Sequence, residues 1–131
     1  MHFIFNNDNN FKTCWTTCEP QQGGHWLEID MGNLETICKI RFDLAGVECD
    51  ALNGYQIEIS TDGINWHSIF ESGVVAEGFF WENNHPWMYV GNNFYTASFA
   101  PVNARYIRVI LTYGHPRFWW TINELRVFSP E

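Results

Sequence analysis

Hydrophobic and polar residues alternate with period two over most of the chain. In the run from Trp26 to Met31, Leu27, Ile29 and Met31 fall on one face of an extended strand and Trp26, Glu28 and Asp30 on the other, and Gly32-Asn33 supplies the turn that ends it. Ile37 to Leu44 reads as a second strand. From Tyr55 to Ser60, Tyr55, Ile57 and Ile59 oppose Gln56, Glu58 and Ser60, and Asp62-Gly63 then predicts a hairpin turn into a strand from Asn65 to Phe70. Further strands are expected from Tyr95 to Phe99, Ala104 to Leu111 and Asn123 to Phe128. No window sustains apolar residues at helical spacing over three turns, so the class is all-β. Short strands at regular turn spacing in 131 residues favour an antiparallel sandwich with jelly-roll topology, residues 1–131 forming one domain.

Two segments break the alternation. Val74 to Asn93 reads as a long loop carrying Phe79, Phe80, Trp81, Trp87 and Tyr89, and Tyr113 to Trp120 as a second loop carrying Tyr113, Phe118, Trp119 and Trp120. Disordered segments are poor in aromatics, so these loops are ordered and decorate one end of the sandwich. The chain holds seven Trp, five Tyr and eleven Phe against only 22 charged residues, 15 acidic and seven basic. The strands account for Trp15, Trp26, Phe42, Tyr55, Trp66, Phe70, Phe99, Tyr106 and Phe128 as core residues, and most of the remainder concentrates in the two loops. A net charge of −8 excludes a phosphate-backbone partner and disfavours an anionic membrane surface.

Cys14, Cys18, Cys38 and Cys49 admit three readings: free buried thiols, a Cys14–Cys18 or Cys38–Cys49 bridge, or part of a zinc site that lacks its second close pair. No nucleophile elbow, zinc-protease helix motif or phosphate loop is present. The five histidines show no clustered spacing. Glu28 and Asp30 share a strand face, as solvated residues do, whereas glycosidase carboxylates flank a cleft. The sequence therefore reads as non-enzymatic.

Six blocks in order, beginning with Ile4-Phe5-Asn6-Asn7-Asp8 and Thr13-Cys14-Trp15-Thr16-Thr17, continue through WLEIDMG at 26–32, IEISTDGINW at 57–66, ARYIRV at 104–109 and INELRVF at 122–128. Together they resemble the discoidin domain, the factor V/VIII type C family that includes carbohydrate-binding module family 32, with a galactose-binding-like sandwich. Relatives usually carry a further strand of about 20 residues before the Phe5 block. The resemblance thus implies a domain lacking that first strand, part of a larger extracellular or cell-surface protein.

The same resemblance implies a structural calcium ion held by Asn6, Asp8, Thr13 and Glu124, with backbone carbonyls completing an all-oxygen shell. Asn6-Asn7 stands where relatives have Asp-Gly, which removes one anionic ligand. The alternative is an Asx-turn without metal.

Sugar-binding relatives use a Trp-His-Thr block, an Arg ahead of Asn-Gly, and an aromatic in the last loop. Here Trp15-Thr16-Thr17 lacks the His, Glu48 stands near the expected Arg, and Asn53-Gly54 is intact. The resemblance implies a ligand site built from Trp119, Trp120, Phe118, Arg117, His115, Asn53 and Glu48, with Trp87, Tyr89 and Trp81 from the other loop. An acidic Glu48 suits a neutral or amino sugar and repels a uronate. Against this stands strand alternation, which would send Trp119 to solvent and Phe118 and Trp120 into the core. The function expected is a weakly binding, non-catalytic carbohydrate module. A protein-interaction module using the aromatic loop 79–95 is the alternative, and phospholipid binding ranks last because only Arg117 flanks the apolar candidates.

Overall fold

The computed structural model describes residues 2–5, 15–43, 54–73, 78–89, 94–114 and 119–131, and among these it contains ten strands and no helix. The strands are β1 (His2–Phe5), β2 (Trp15–Pro20), β3 (Trp26–Asp43), β4 (Tyr55–Ser60), β5 (His67–Ser72), β6 (Gly78–Glu82), β7 (His85–Tyr89), β8 (Phe94–Leu111), β9 (Trp119–Ile122) and β10 (Glu124–Phe128). A six-stranded antiparallel sheet runs in the order β1-β10-β3-β8-β4-β5, and β2-β9 and β6-β7 form separate two-stranded ladders. The all-β sandwich expected from the alternation is what forms. Trp120 and Ile122 of β9 join Ile40, Phe42, Ile107 and Leu125 of the large sheet in one buried cluster, so the β2-β9 ladder closes over the sheet's inner face.

Period-two patterning decides which side chains meet there. Tyr55, Ile57 and Ile59 are buried, as the alternation requires. Each such aliphatic side chain contributes about 1.5–3 kcal/mol on burial. An aromatic cluster fills the middle: the Phe42 ring stacks on Tyr95 at 4.8 Å and meets Tyr55 edge-on at 5.9 Å, while Phe70 lies 5.5 Å from Tyr55. Burial pushes the Tyr55 phenol up to about 12.

The structure redraws several boundaries. The strands expected at 26–31 and 37–44 are one 18-residue strand, β3. Gly32 adopts a left-handed φ of 84°, but it kinks the chain at a register shift between Asp30 and Glu35 without ending the strand. The segments 95–99 and 104–111 likewise merge into β8, the antiparallel partner of β3. The predicted strand from Asn123 begins instead at Glu124.

The expected tight hairpin at Asp62-Gly63 is a wider loop, since the last β4-β5 pair is Ile59 with His67. The Asp62 carboxylate organises it. Its Oδ1 accepts from the amides of Ile64 and Asn65, both at 2.8 Å, and from the Ser60 hydroxyl at 3.0 Å, while Oδ2 accepts from the Asn65 amide group at 2.7 Å. These donors, the two backbone amides foremost, hold the Asp62 carboxyl far below the usual carboxylate range.

Val74–Asn93 is not a plain loop, because residues 78–89 form a β-hairpin. Asn83 and Asn84 both take positive φ, 51° and 58°, as a two-residue type I′ turn demands, and Asn is among the few residues that tolerate it.

Cys18 and Cys38 are free thiols, so neither proposed bridge forms, and Cys18 is exposed where a buried thiol was expected. Trp66, Tyr106, Phe128 and Trp26, all assigned to the core, stand outside the buried cluster: Trp66 packs on the Arg108 guanidinium and near Tyr106, Phe128 lies against the Lys39 ammonium, and Trp26 is on the outer face of the sheet and 57% exposed. The alternation itself had put it opposite Leu27.

Candidate functional site

Three segments meet at the end of the sheet where β8 finishes. The amide of Gly24 donates to the Leu111 carbonyl and the Leu111 amide to the His25 carbonyl, both at 2.8 Å, and the Thr112 amide donates to the Gly54 carbonyl at 3.0 Å. Two glycines let the segments come this close. A Cβ on Gly54 would stand 2.5 Å from the Tyr113 ring, and one on Gly114 would stand 2.6 Å from the Gln21 carbonyl oxygen. Gly54 of the predicted Asn53-Gly54 pair therefore serves to seat Tyr113.

Gln21, buried at this seam, donates from Nε2 to the Trp119 carbonyl at 2.9 Å and so fixes the start of β9. Beside it, His25 Nδ1 accepts from the Gln22 amide at 3.2 Å, which leaves the proton on Nε2, facing Glu19 Oε1 at 2.7 Å. The seam thus carries an outward carboxylate held in place by an imidazole.

Adjacent tryptophans divide as strand parity dictates. Trp119 is 42% exposed, whereas Trp120 is fully buried. Trp120 meets Trp15 edge-on at 5.0 Å, and its amide accepts no role in a site either, since it donates to the Thr17 hydroxyl at 3.2 Å. The expectation that Trp120 stacks on a ligand is therefore corrected, because its ring is spent on the core. Thr16 and Thr17, which occupy the block where sugar-binding relatives carry a His, are engaged with β9: the Thr121 hydroxyl donates to that of Thr16 at 3.3 Å.

The remaining predicted residues are placed unevenly. Glu48, Asn53, His115, Arg117 and Phe118 lie outside the described residues, as do Asn6, Asp8 and Thr13 of the expected calcium set. Trp81 falls on β6 and Trp87 and Tyr89 on β7, where the register pairs Trp81 with Pro86 and Trp87 with Phe80.

Glu124 is 6% exposed, and its Oε2 accepts from Arg126. Its Oε1 is buried with no hydrogen-bond partner among the described residues. A buried carboxylate oxygen without a donor is what a hard cation would complete, so this member of the expected set fits calcium. Across the ladder its register partner Asp43 is held by Arg41 at 2.8 Å.

Tyr113 and Trp119 are the exposed aromatics of the seam, Tyr113 at 53%. Tyr113 was expected as an aromatic of the second loop but not in the ligand set, and Gln21, Glu19 and His25 were not in that set either. Gly114 beside Tyr113, and Gly23-Gly24 before His25, were the legible signals of close backbone approach. Two partly exposed rings on a hydrogen-bonded base, with a carboxylate alongside, can cover the apolar face of a flat polar ligand and accept hydrogen bonds from its rim.

Comparison with known proteins agrees with this architecture. The fold is similar to that of the CBM32 of AlyQ in complex with 4,5-unsaturated mannuronic acid (TM-score 0.67, 18% identity, covering 99% of this chain and 95% of that one). It is similar also to CpGH89CBM32-5 from Clostridium perfringens in complex with GalNAc-β-1,3-galactose (0.69, 17%, 98% and 94%). The family 32 module of C. perfringens NanJ in complex with galactose matches as well (0.66, 16%, 97% and 91%). A search of curated proteins finds no match. The family model of the F5/8 type C domain matches residues 3–125.

Proposed function

The chain belongs to the F5/8 type C domain family, and from that membership and its loop end we propose that it is a non-catalytic carbohydrate-binding module. The observation that carries the reading is the pair of exposed rings, Tyr113 and Trp119, on a seam held by backbone hydrogen bonds and by the Gln21 side chain. The three similar structures were each solved with a sugar, which supports a glycan as the ligand class.

The ligand is a neutral or amino sugar, because the net charge of −8 and the outward Glu19 repel a uronate. A ring that covers about 100 Å² of indole gains roughly 2.5 kcal/mol. Two such platforms and a few hydrogen bonds give a dissociation constant of about 10 μM to 1 mM. Affinity of that order suits a module that holds a larger extracellular protein on a multivalent glycan.

The paired carboxylates favour a binding role over catalysis. Glu28, Asp30, Asp43 and Glu124 are each bonded to an arginine, as carboxylates that brace a sheet are. Calcium belongs to the proposal in a structural role: Glu124 would hold it together with Asn6, Asp8 and Thr13, fixing the chain ahead of Trp15.

A glycan array followed by calorimetry tests the reading. Binding to at least one neutral or amino glycan is expected, weakened by Trp119→Ala in a protein that keeps its melting temperature. Absence of any hit, or a hit indifferent to Trp119→Ala, would overturn it.

A further inference from the structure

The outer face of the six-stranded sheet carries aromatic and charged residues that the loop site does not use. Trp26 pairs in register with Ile110 of β8, and Ile110 with Gln56 of β4; one row along, Glu28 pairs with Arg108 and Arg108 with Glu58. Arg108 ties these rows together. Its Nη2 donates to Glu28 at 3.1 Å, its Nη1 lies 3.8 Å from Glu58, and its guanidinium sits 3.8 Å from the centre of the Trp66 ring and 5.3 Å from that of Trp26. Gln56 in turn donates to Glu58 at 3.2 Å.

A solvated strand position needs no indole, since threonine also favours a strand and presents a hydroxyl to water. Trp26 nevertheless leaves more than half of its surface in water, beside carboxylates already fixed by hydrogen bonds. Rings next to preorganised acceptors can take a pyranose, whose C–H face covers the ring while its hydroxyls donate to the carboxylates. The centre of a protein–protein interface is depleted of charge, whereas Glu28, Arg108 and Glu58 occupy the centre of this face.

We propose that this face is a second sugar-binding surface, centred on Trp26 with Glu28, Glu58 and Gln56 as acceptors and donors, for a neutral or amino-sugar chain. Two carboxylates against one arginine at its centre select against a uronate. The surface is independent of the loop site, although it adjoins it: Trp26 follows His25, whose carbonyl is bonded to Leu111 at the seam.

The seven tryptophan indole N–H signals of ¹⁵N-labelled protein provide the test. Signals are assigned with Trp26→Phe, Trp66→Phe and Trp119→Phe, and the protein is titrated separately with a glucosamine hexamer and cellohexaose to about 20 mM, above the weakest affinity expected of one stacking ring. The Trp26 signal should shift and saturate with at least one of the two, and should still do so in Trp119→Ala. A sugar covering half of the exposed indole makes Trp26→Ala cost about 5- to 20-fold in affinity at this face, with unchanged melting temperature. Movement of the Trp119 signal alone, or of none with either sugar, overturns the proposal. Movement of Trp26 without Trp119 upholds it while counting against the loop site.

Discussion

Gly114→Ala bears most directly on how the loop end is held. The added Cβ would stand 2.6 Å from the Gln21 carbonyl oxygen and 3.3 Å from Gln22 Cα, both backbone atoms, and ordinary contact begins only at 3.4 Å. The 21–24 and 112–114 segments must therefore separate. Gln21 cannot follow both neighbours, so its 2.9 Å bond to the Trp119 carbonyl lengthens or breaks. Overpacking of this kind costs about 1–3 kcal/mol, and the lost hydrogen bond about 0.5–1.5 kcal/mol. Together they predict a loss of roughly 2–4 kcal/mol, or a fall in melting temperature of about 6–20 °C for a domain of this size. Scanning calorimetry measures it, with Gly73→Ala as control because a Cβ there meets nothing within 4 Å. Tryptophan emission should shift red as Trp119 loses its fixed setting. A Gly114→Ala protein that melts within about 1 °C of its parent, with unchanged emission, would refute the seam as described.

The two neighbouring tryptophans should separate stability from binding. Trp119→Ala leaves the fold intact and, with roughly 60–100 Å² of ring available to a ligand, costs about 10- to 80-fold in glycan affinity by calorimetry, whereas Trp120→Ala costs about 3–5 kcal/mol in urea unfolding because its ring is wholly buried. Acid stability should depend on Asp62 and Asp30, the latter lowered chiefly by its bond to Arg105. Both folded-state pKa values lie below the ordinary value, so the stability these residues confer is complete above about pH 4 and is lost as pH falls through the depressed values. Asp62→Asn should flatten that acid limb in a pH series of melting curves, and an unchanged limb would count against the loop's reliance on the charge. Calcium should raise the melting temperature and a chelator lower it. Glu124→Gln should abolish the difference, and a calcium response surviving in that variant would remove Glu124 from the metal set.

Alternation made the fold legible because each sheet has one wet and one dry face, and Ile57 and Ile59 declare theirs without outside help. It made Trp119 and Trp120 legible for the same reason. Interruptions were harder, because a residue that permits a turn does not require one. Gly32 looked like a strand end and acts as a kink inside β3, since the continuing partner strand β8 supplies pairing beyond it. Asp62-Gly63 looked like a hairpin and organises a wider loop, because Ser60 and Asn65 both reach its carboxylate. Asn83-Asn84 hid a hairpin among aromatics that drew attention to surface chemistry. The position of Trp26 was visible in its parity with Glu28, and the assumption that indoles belong inside obscured it. At the site, proximity between residues 21, 54, 114 and 119 has no local signature beyond the glycines.

The pairing of β1 with β10 has a mechanical consequence. His2 and Phe128 are register partners, so the start of the first strand and the end of the last stand side by side at one edge of the sheet. Antiparallel ladder bonds run perpendicular to their strands. Tension drawing these two points apart would act along those bonds and part them one pair at a time, starting from His2 and Phe128. Under load the domain would yield first by peeling at this edge, the β1-β10 ladder parting before the β3-β8 pair at the middle of the sheet.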